Sequence, residues 1–152
     1  MSKPKKYDAQ NASTAQCIPV LRELVRAYQA FINHDAREMR QWDLTVPQAD
    51  VIFALGNTEG MTFKQLGEMT LITKGTLTGV VDRLEGKGLV KRVPSEEDRR
   101  RTLAVLTDEG VHVFEEIFPI HVSELQSRFN SMGKEELEQT RQVLVRLREL
   151  LS

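Results

Sequence analysis

The sequence predicts a mostly α-helical chain that carries one small β-hairpin. Three observations predict it. Apolar residues recur at three-to-four-residue spacing over long stretches, two short β-type runs sit together after Gly88, and threonines, prolines and glycines fall where such segments should start and stop. With 152 residues and 40% hydrophobic content, there is material for one ordinary domain or for two small modules sharing helices. The longest apolar runs, such as "VIFAL", fall far short of a membrane span. The opening "SKPKKYDAQNAST" has lysines with no apolar region after them, so residues 1–14 read as a flexible tail rather than a signal peptide. A single cysteine, Cys17, excludes an internal disulfide framework and fits a reducing, cytoplasmic setting.

In the first long segment Ile18, Leu21, Leu24, Val25, Tyr28, Phe31 and Ile32 keep helical spacing, which predicts an amphipathic helix to about Arg40. Pro19 belongs in its first turn, where the missing N–H costs nothing, and this places Cys17 at the helix start. "WDLTVPQADVIFALG" predicts a second, shorter helix with Thr45 as cap, Pro47 near the first turn and Gly56 at the end.

"MTFKQLGEMTLITKGTLTGVVDRLEGKGLV" predicts two helices in tandem. Thr62 can cap the first, from Phe63 to Met69; after the turn "TLIT", Thr73 can cap the second, which ends near Gly86 to Gly88. At 100° per residue Leu77, Val80, Val81 and Leu84 share an inward face, while Gly75, Thr76, Thr78, Gly79, Asp82, Arg83 and Gly86 fall on the other side. That outward surface is small, polar and suited to a groove. "LVKRV" and "TLAVLT" then make an antiparallel hairpin around the tip "PSEEDRRR". Tandem helices followed by a hairpin with arginines in its loop are the order of a winged helix-turn-helix.

Thr107 with "DEG" opens a helix of about six turns that Pro119 should kink. After "NSMGK", Leu137, Leu144 and Leu151 stand seven apart with Leu147 between them, a short heptad stripe broadened by Val143, Val145 and Leu150. One chain has little left to cover both terminal helices, so a second copy is expected to do so. The chain thus divides into a tail (1–14), an N-terminal dimerisation helix (15–44), a winged helix-turn-helix DNA-binding domain (45–107) and C-terminal dimerisation helices (108–152).

Charge supports this division. The net charge is −1, yet residues 74–101 hold eight basic and five acidic residues, +3, and leave −4 to the rest. A cationic spur on a body that repels polyanions implies an orientation toward one.

The stretch "GTLTGVVDRLEGKGLVKRVPSEEDRRRTLAVLTDEG", Gly75 to Gly110, resembles the recognition helix, wing and next-helix entry of the MarR family of bacterial transcription regulators, named for multiple antibiotic resistance. "DRR" at Asp98 to Arg100, followed by "LAVLT", matches the family's D-x-R pattern before the second wing strand, and the element order fits along nearly all of residues 15–152. The resemblance implies a homodimer that binds palindromic double-stranded DNA, most often as a repressor, with half-sites roughly 10 bp apart. Arg100 would enter a narrow minor groove, whose phosphate potential attracts a weakly hydrated guanidinium, and Asp98 would hold Arg99, Arg100 and Arg101 in place. The helix that opens at Thr73 would lie in the major groove, where Thr76 and Thr78 face base edges and Gly75 and Gly79 allow close approach. Lys74, Arg83, Lys91 and Arg92 would contact phosphates. The resemblance also implies a small aromatic or phenolic effector between the dimerisation helices and the reading module, with Tyr28, Phe31, Ile32, Trp42, Phe53, Phe114 and Phe118 as candidate lining.

Other chemistry is weaker. Some family members sense peroxides through a first-helix cysteine, but counted back from "LTVPQ" that residue would fall near Leu21, one turn beyond Cys17. His34, His112 and His121 form no dense cluster, and nine residues on a straight helix turn His112 and His121 in opposite directions, so no metal and no cofactor is expected and satisfied surface or interface histidines are. No phosphate loop, nucleophile elbow, CxxC or HExxH points to an enzyme. A winged helix used only as a protein adaptor would require neither the tip arginines nor the bare helix face.

Overall fold

The computed structural model describes residues 6–152. The part of the tail reading that falls on residues 1–5 lies outside the described residues. Residues 6–16 contain one short 3-10 turn, Ala12–Thr14, preceded by a turn in which the Asp8 carboxylate accepts hydrogen bonds from the N–H groups of Gln10 and Asn11.

Six helices and three strands follow: α1 Cys17–Arg40, α2 Val46–Leu55, β1 Met61–Thr62, α3 Phe63–Thr70, α4 Lys74–Gly86, β2 Val90–Pro94, β3 Thr102–Leu106, α5 Asp108–Phe129 and α6 Lys134–Leu151. Local chemistry explains most boundaries. Thr45 and Thr62 each build a capping box, accepting from the N–H of Gln48 and Gln65 while those glutamine side chains accept from the threonine N–H. Thr107 caps α5 by accepting from Gly110 N–H and also donates to the Gly88 carbonyl at 2.6 Å, which ties the start of α5 to the end of α4. Pro119 is accommodated within a continuous α5.

The sheet order is β1-β3-β2, all antiparallel, with Met61 opposite Ala104, Thr62 opposite Leu103, and Val90 to Pro94 opposite Leu106 to Thr102. The hairpin is as expected, but β1 is a third strand that two residues of "MT" gave no periodicity to reveal. Gly60 permits it: its φ is +115°, and a Cβ there would lie 2.4 Å from Val105 Cγ1 and 2.9 Å from the Ala104 carbonyl.

The core lies where α2, α3, α4, the hairpin and one face of α5 meet. Val51, Ile52, Leu66, Val81, Leu84 and Ala104 are fully buried there, each large side chain contributing about 1.5–3 kcal/mol. The inward set computed from spacing, Leu77, Val80, Val81 and Leu84, is buried as a group. By contrast α6 buries nothing, and α1 buries only Asp35 and Met39. Among the described residues no helix is long and apolar enough to cross a membrane.

Candidate nucleic-acid interface and adjoining cleft

The outward side of α4 is bare. Gly75, Thr76, Thr78, Asp82, Arg83 and Gly86 are exposed, Gly79 is half-buried, and a Cβ placed on Gly75, Gly79 or Gly86 would meet nothing within 4 Å. The hydroxyls are not equivalent. Thr78 donates to the Lys74 carbonyl at 3.3 Å, so it presents a methyl and an acceptor, whereas Thr76 accepts from Thr73 at 3.1 Å and keeps its own proton to donate. The expectation that Thr73 caps α4 is corrected here: it occupies the N-cap position, but its side chain makes no capping hydrogen bond and turns to Thr76 instead. The first turn of α4 therefore keeps N–H groups without a side-chain acceptor, beside the exposed Lys74, and this is a favourable end for a phosphate oxygen.

Asp98 organises the wing tip. Its Oδ1 accepts from Arg100 N–H at 3.0 Å, its carbonyl accepts from Arg101 N–H at 2.8 Å, and its Oδ2 lies 3.5 Å from Arg101 Nε. The Arg101 carbonyl in turn accepts from Ser95 N–H, which closes the loop. Asp98 thus spends its charge on Arg101 and on the backbone. Arg99 and Arg100 are exposed and have no ion pair among the described residues, and Glu96 and Glu97 also face solvent.

The four expected phosphate contacts divide. Lys74, Arg83 and Lys91 are exposed and unpaired among the described residues, but Arg92 is committed within the fold. Its guanidinium pairs with Glu85, reaches Asp82 Oδ1 at 2.7 Å and lies 5.2 Å from the centre of the Phe63 ring. Neighbouring residues of a strand point to opposite faces, so Lys91 faces out while Arg92 turns onto α4. Its assignment as a phosphate contact is corrected to a clamp between α4, β2 and α3. The signal was in the sequence: Asp82 and Glu85 are three apart on one helix face, a ready acceptor pair for an arginine.

A cleft of about 690 Å³ opens between α1, α2 and the α3–α4 turn. Tyr28, Phe31, Ile32 and Phe53 of the expected lining meet there, joined by Leu71 and Asp50. Trp42, Phe114 and Phe118 do not line it. Trp42 packs against the core, Phe114 is buried, and the Phe114 and Phe118 rings stack with centres 5.1 Å apart, so these three are core aromatics. Leu71 was missed. It sits at the C-cap of α3 with φ +60°, a left-handed conformation unfavourable for leucine, and is 86% exposed. Asp50 is the charged residue in the lining, and its carboxyl is pushed above the usual 3.8 chiefly by burial and then by the charge of Asp35, with His121 opposing.

Cys17 is the first residue of α1, exposed and unpaired. The histidines differ from expectation. His112 is exposed, but His121 is buried with Nδ1 2.9 Å from Glu38 Oε2, and His34 Nδ1 lies 3.2 Å from Asp35 Oδ1 and 4.0 Å from the same Glu38 oxygen. His34 and His121 therefore converge on one carboxylate.

Two tandem helices with an exposed glycine-threonine face, a three-stranded wing with free arginines at its tip, and long helices on either side define a winged helix-turn-helix protein with helical extensions. The family model described as MarR family matches residues 42–101. The HTH-type transcriptional regulator MhqR of Bacillus subtilis (strain 168) is 32% identical over 124 residues, which cover 82% of this chain and 86% of that protein. The chain belongs to the MarR family. Among solved structures, Bordetella bronchiseptica BpsR, whose DNA binding is regulated by 6-hydroxynicotinic acid, superposes with a TM-score of 0.71 at 27% identity over 88% of this chain and 99% of its own. NadR in complex with 4-hydroxyphenylacetate superposes with a TM-score of 0.70 at 26% identity over 97% of each chain.

Proposed function

We propose that the protein is a cytoplasmic transcription regulator that binds a palindromic operator as a homodimer, represses from it, and is tuned by a small aromatic ligand. The observation that carries this reading is the pairing of two free, exposed arginines on a braced wing tip with a recognition helix whose outer face is glycine and threonine. A rigid tip limits the entropy lost when Arg100 enters a minor groove, and the bare face lets the α4 backbone approach base edges. MhqR, named a transcriptional regulator, and BpsR, named for regulated DNA binding, support it.

The ligand reading rests on the cleft and on BpsR and NadR, both named with a hydroxylated aromatic acid. Here the charged group of the lining is the Asp50 carboxyl, so a neutral phenol donating its O–H fits this cleft better than a ring bearing its own carboxylate. Occupying a cleft that touches both α1 and the α3–α4 turn favours one spacing of the two recognition helices over another, which is sufficient to change affinity for a fixed palindrome.

Selection of duplexes from a random pool tests the reading. A palindromic motif should emerge, and Arg100→Ala should lose on the order of 1–3 kcal/mol per half-site on it while Lys91→Ala weakens all sequences alike and flattens the salt dependence. No enriched motif, or an Arg100→Ala protein that binds the motif as tightly as wild type, would refute it.

A further inference from the structure

Away from the wing and the recognition helix, α1 and α5 bring four side chains together: His34, Asp35, Glu38 and His121. All are nearly out of solvent, with side-chain exposures of 14%, 8%, 11% and 10%. One donor atom from each of His34, Asp35 and Glu38 lies within 4.8 Å of the others, and His121 reaches the same Glu38 oxygen from a helix 83 residues further along the chain. Asp50 of α2 stands near enough to interact with both Asp35 and His121. The region thus holds three carboxyl groups, and among the described residues no lysine or arginine pairs with Asp35, Glu38 or Asp50. Sequestered carboxylates call for positive charge close by, which a bound cation supplies while leaving both imidazoles neutral, and which the imidazoles supply themselves only by taking up protons.

We propose that His34, Asp35, Glu38 and His121 form a binding site for a divalent metal ion of the zinc class. The donor set is two imidazole nitrogens and two carboxylates, which suits Zn²⁺, Co²⁺ or Ni²⁺ and not the all-oxygen preference of Ca²⁺ or Mg²⁺. The spacing suits it as well. An ion bonded at about 2.0–2.2 Å to each donor holds neighbouring donors roughly 3.0–3.5 Å apart. Three of the donor pairs stand at 2.9, 3.2 and 4.0 Å, and the donors of His34, Asp35 and Glu38 all lie within 4.8 Å of one another; of the three pairs His34–Glu38 must close the most. These two residues are four apart on one face of α1, where a rotamer adjustment of either side chain closes it. Phe53 stacks on His121 with ring centres 5.3 Å apart, which restrains the imidazole and keeps water from it. His112 and His121 do face different surroundings, as their spacing implies, but spacing along the chain does not encode the tertiary contact that brings His121 of α5 to Glu38 of α1.

Calorimetric titration of chelator-stripped full-length protein with Zn²⁺ tests the site, together with visible absorption on adding Co²⁺. The expected result is one ion per chain, a Zn²⁺-dependent rise in Tm, and the intense Co²⁺ bands of a four- or five-coordinate nitrogen and oxygen site. Glu38→Gln and His121→Gln should each weaken binding at least about tenfold, while His112→Gln, on the exposed part of α5, leaves it unchanged. Circular dichroism establishes that the variants are folded. If a variant does not fold, the wild-type spectrum decides: weak bands of a six-coordinate, water-rich ion overturn the proposal. So does the absence of saturable Zn²⁺ binding, or binding that survives in a folded His34→Gln/His121→Gln protein.

Discussion

Gly79 separates stability from reading at the level of one atom group. Nothing lies within 4 Å of a Cβ built on it, and it sits inside a helix, where alanine is favoured over glycine by about 0.8–1 kcal/mol. Gly79→Ala should therefore raise Tm while weakening operator binding, a trade-off visible by comparing thermal unfolding with a gel-shift titration. Asp50 makes a pH prediction. A carboxyl whose pKa is raised by folding holds its proton more tightly in the folded chain, so its ionised form costs stability above the raised pKa, and the cost fades as pH falls from there to the unfolded value of 3.8, below which it is gone. In metal-free protein, Asp50→Asn should be more stable than wild type at pH 7 and indistinguishable from it below about pH 3.8 by urea unfolding. Single residues are also where sequence reading faltered. Arg92 and Lys91 are adjacent and alike in charge, and only the strand's alternation against α4 decides which of them is spent inside the fold.

At the scale of elements, boundaries were readable because short-range chemistry sets them. Thr45, Thr62 and Thr107 cap the helices they were expected to cap, and the inward face of α4 follows from 100° per residue. Strand β1 was not readable, since two residues carry no pattern and their pairing depends on the backbone Gly60 permits. The entry to α5 is as tightly fitted. A Cβ on Gly110 would stand 2.0 Å from the Leu89 carbonyl oxygen, a backbone atom that cannot rotate away. Gly110→Ala should cost roughly 1–3 kcal/mol through the shift it forces, measured as a lower urea midpoint at unchanged slope. The cleft was half readable. Aromatic residues at helical spacing were evident, but which of them face a cavity depends on how α5 lies over α2, and this consigns Phe114 and Phe118 to the core.

At the scale of the molecule, α6 stands apart. None of its residues is buried, Leu144 and Leu151 are 49% and 64% exposed, and Val25, Tyr28 and Phe31 of α1 are also uncovered. Local pairs support the isolated helix, among them Arg141 with Glu138, whose carboxyl is held at about 2 by side-chain hydrogen bonds from Arg141 and then Gln142. Exposed apolar stripes on both termini are the form expected of subunits that bury those faces against a second copy. Leu144→Glu with Leu151→Glu should convert a dimer to a species of about half the mass in sedimentation and abolish binding to a full palindrome while leaving the reading module folded.

The pairing of β1 with β3 has a mechanical consequence. Thr62 closes that strand and caps α3 in the same residue, so one short lap joint fixes the spur to the helix that packs against α4, the rod proposed to lie in the groove. A stiff two-pronged tool has a fixed gauge: inserting one base pair between the tract touched by one prong and the tract touched by the other should abolish recognition, however well each tract matches on its own.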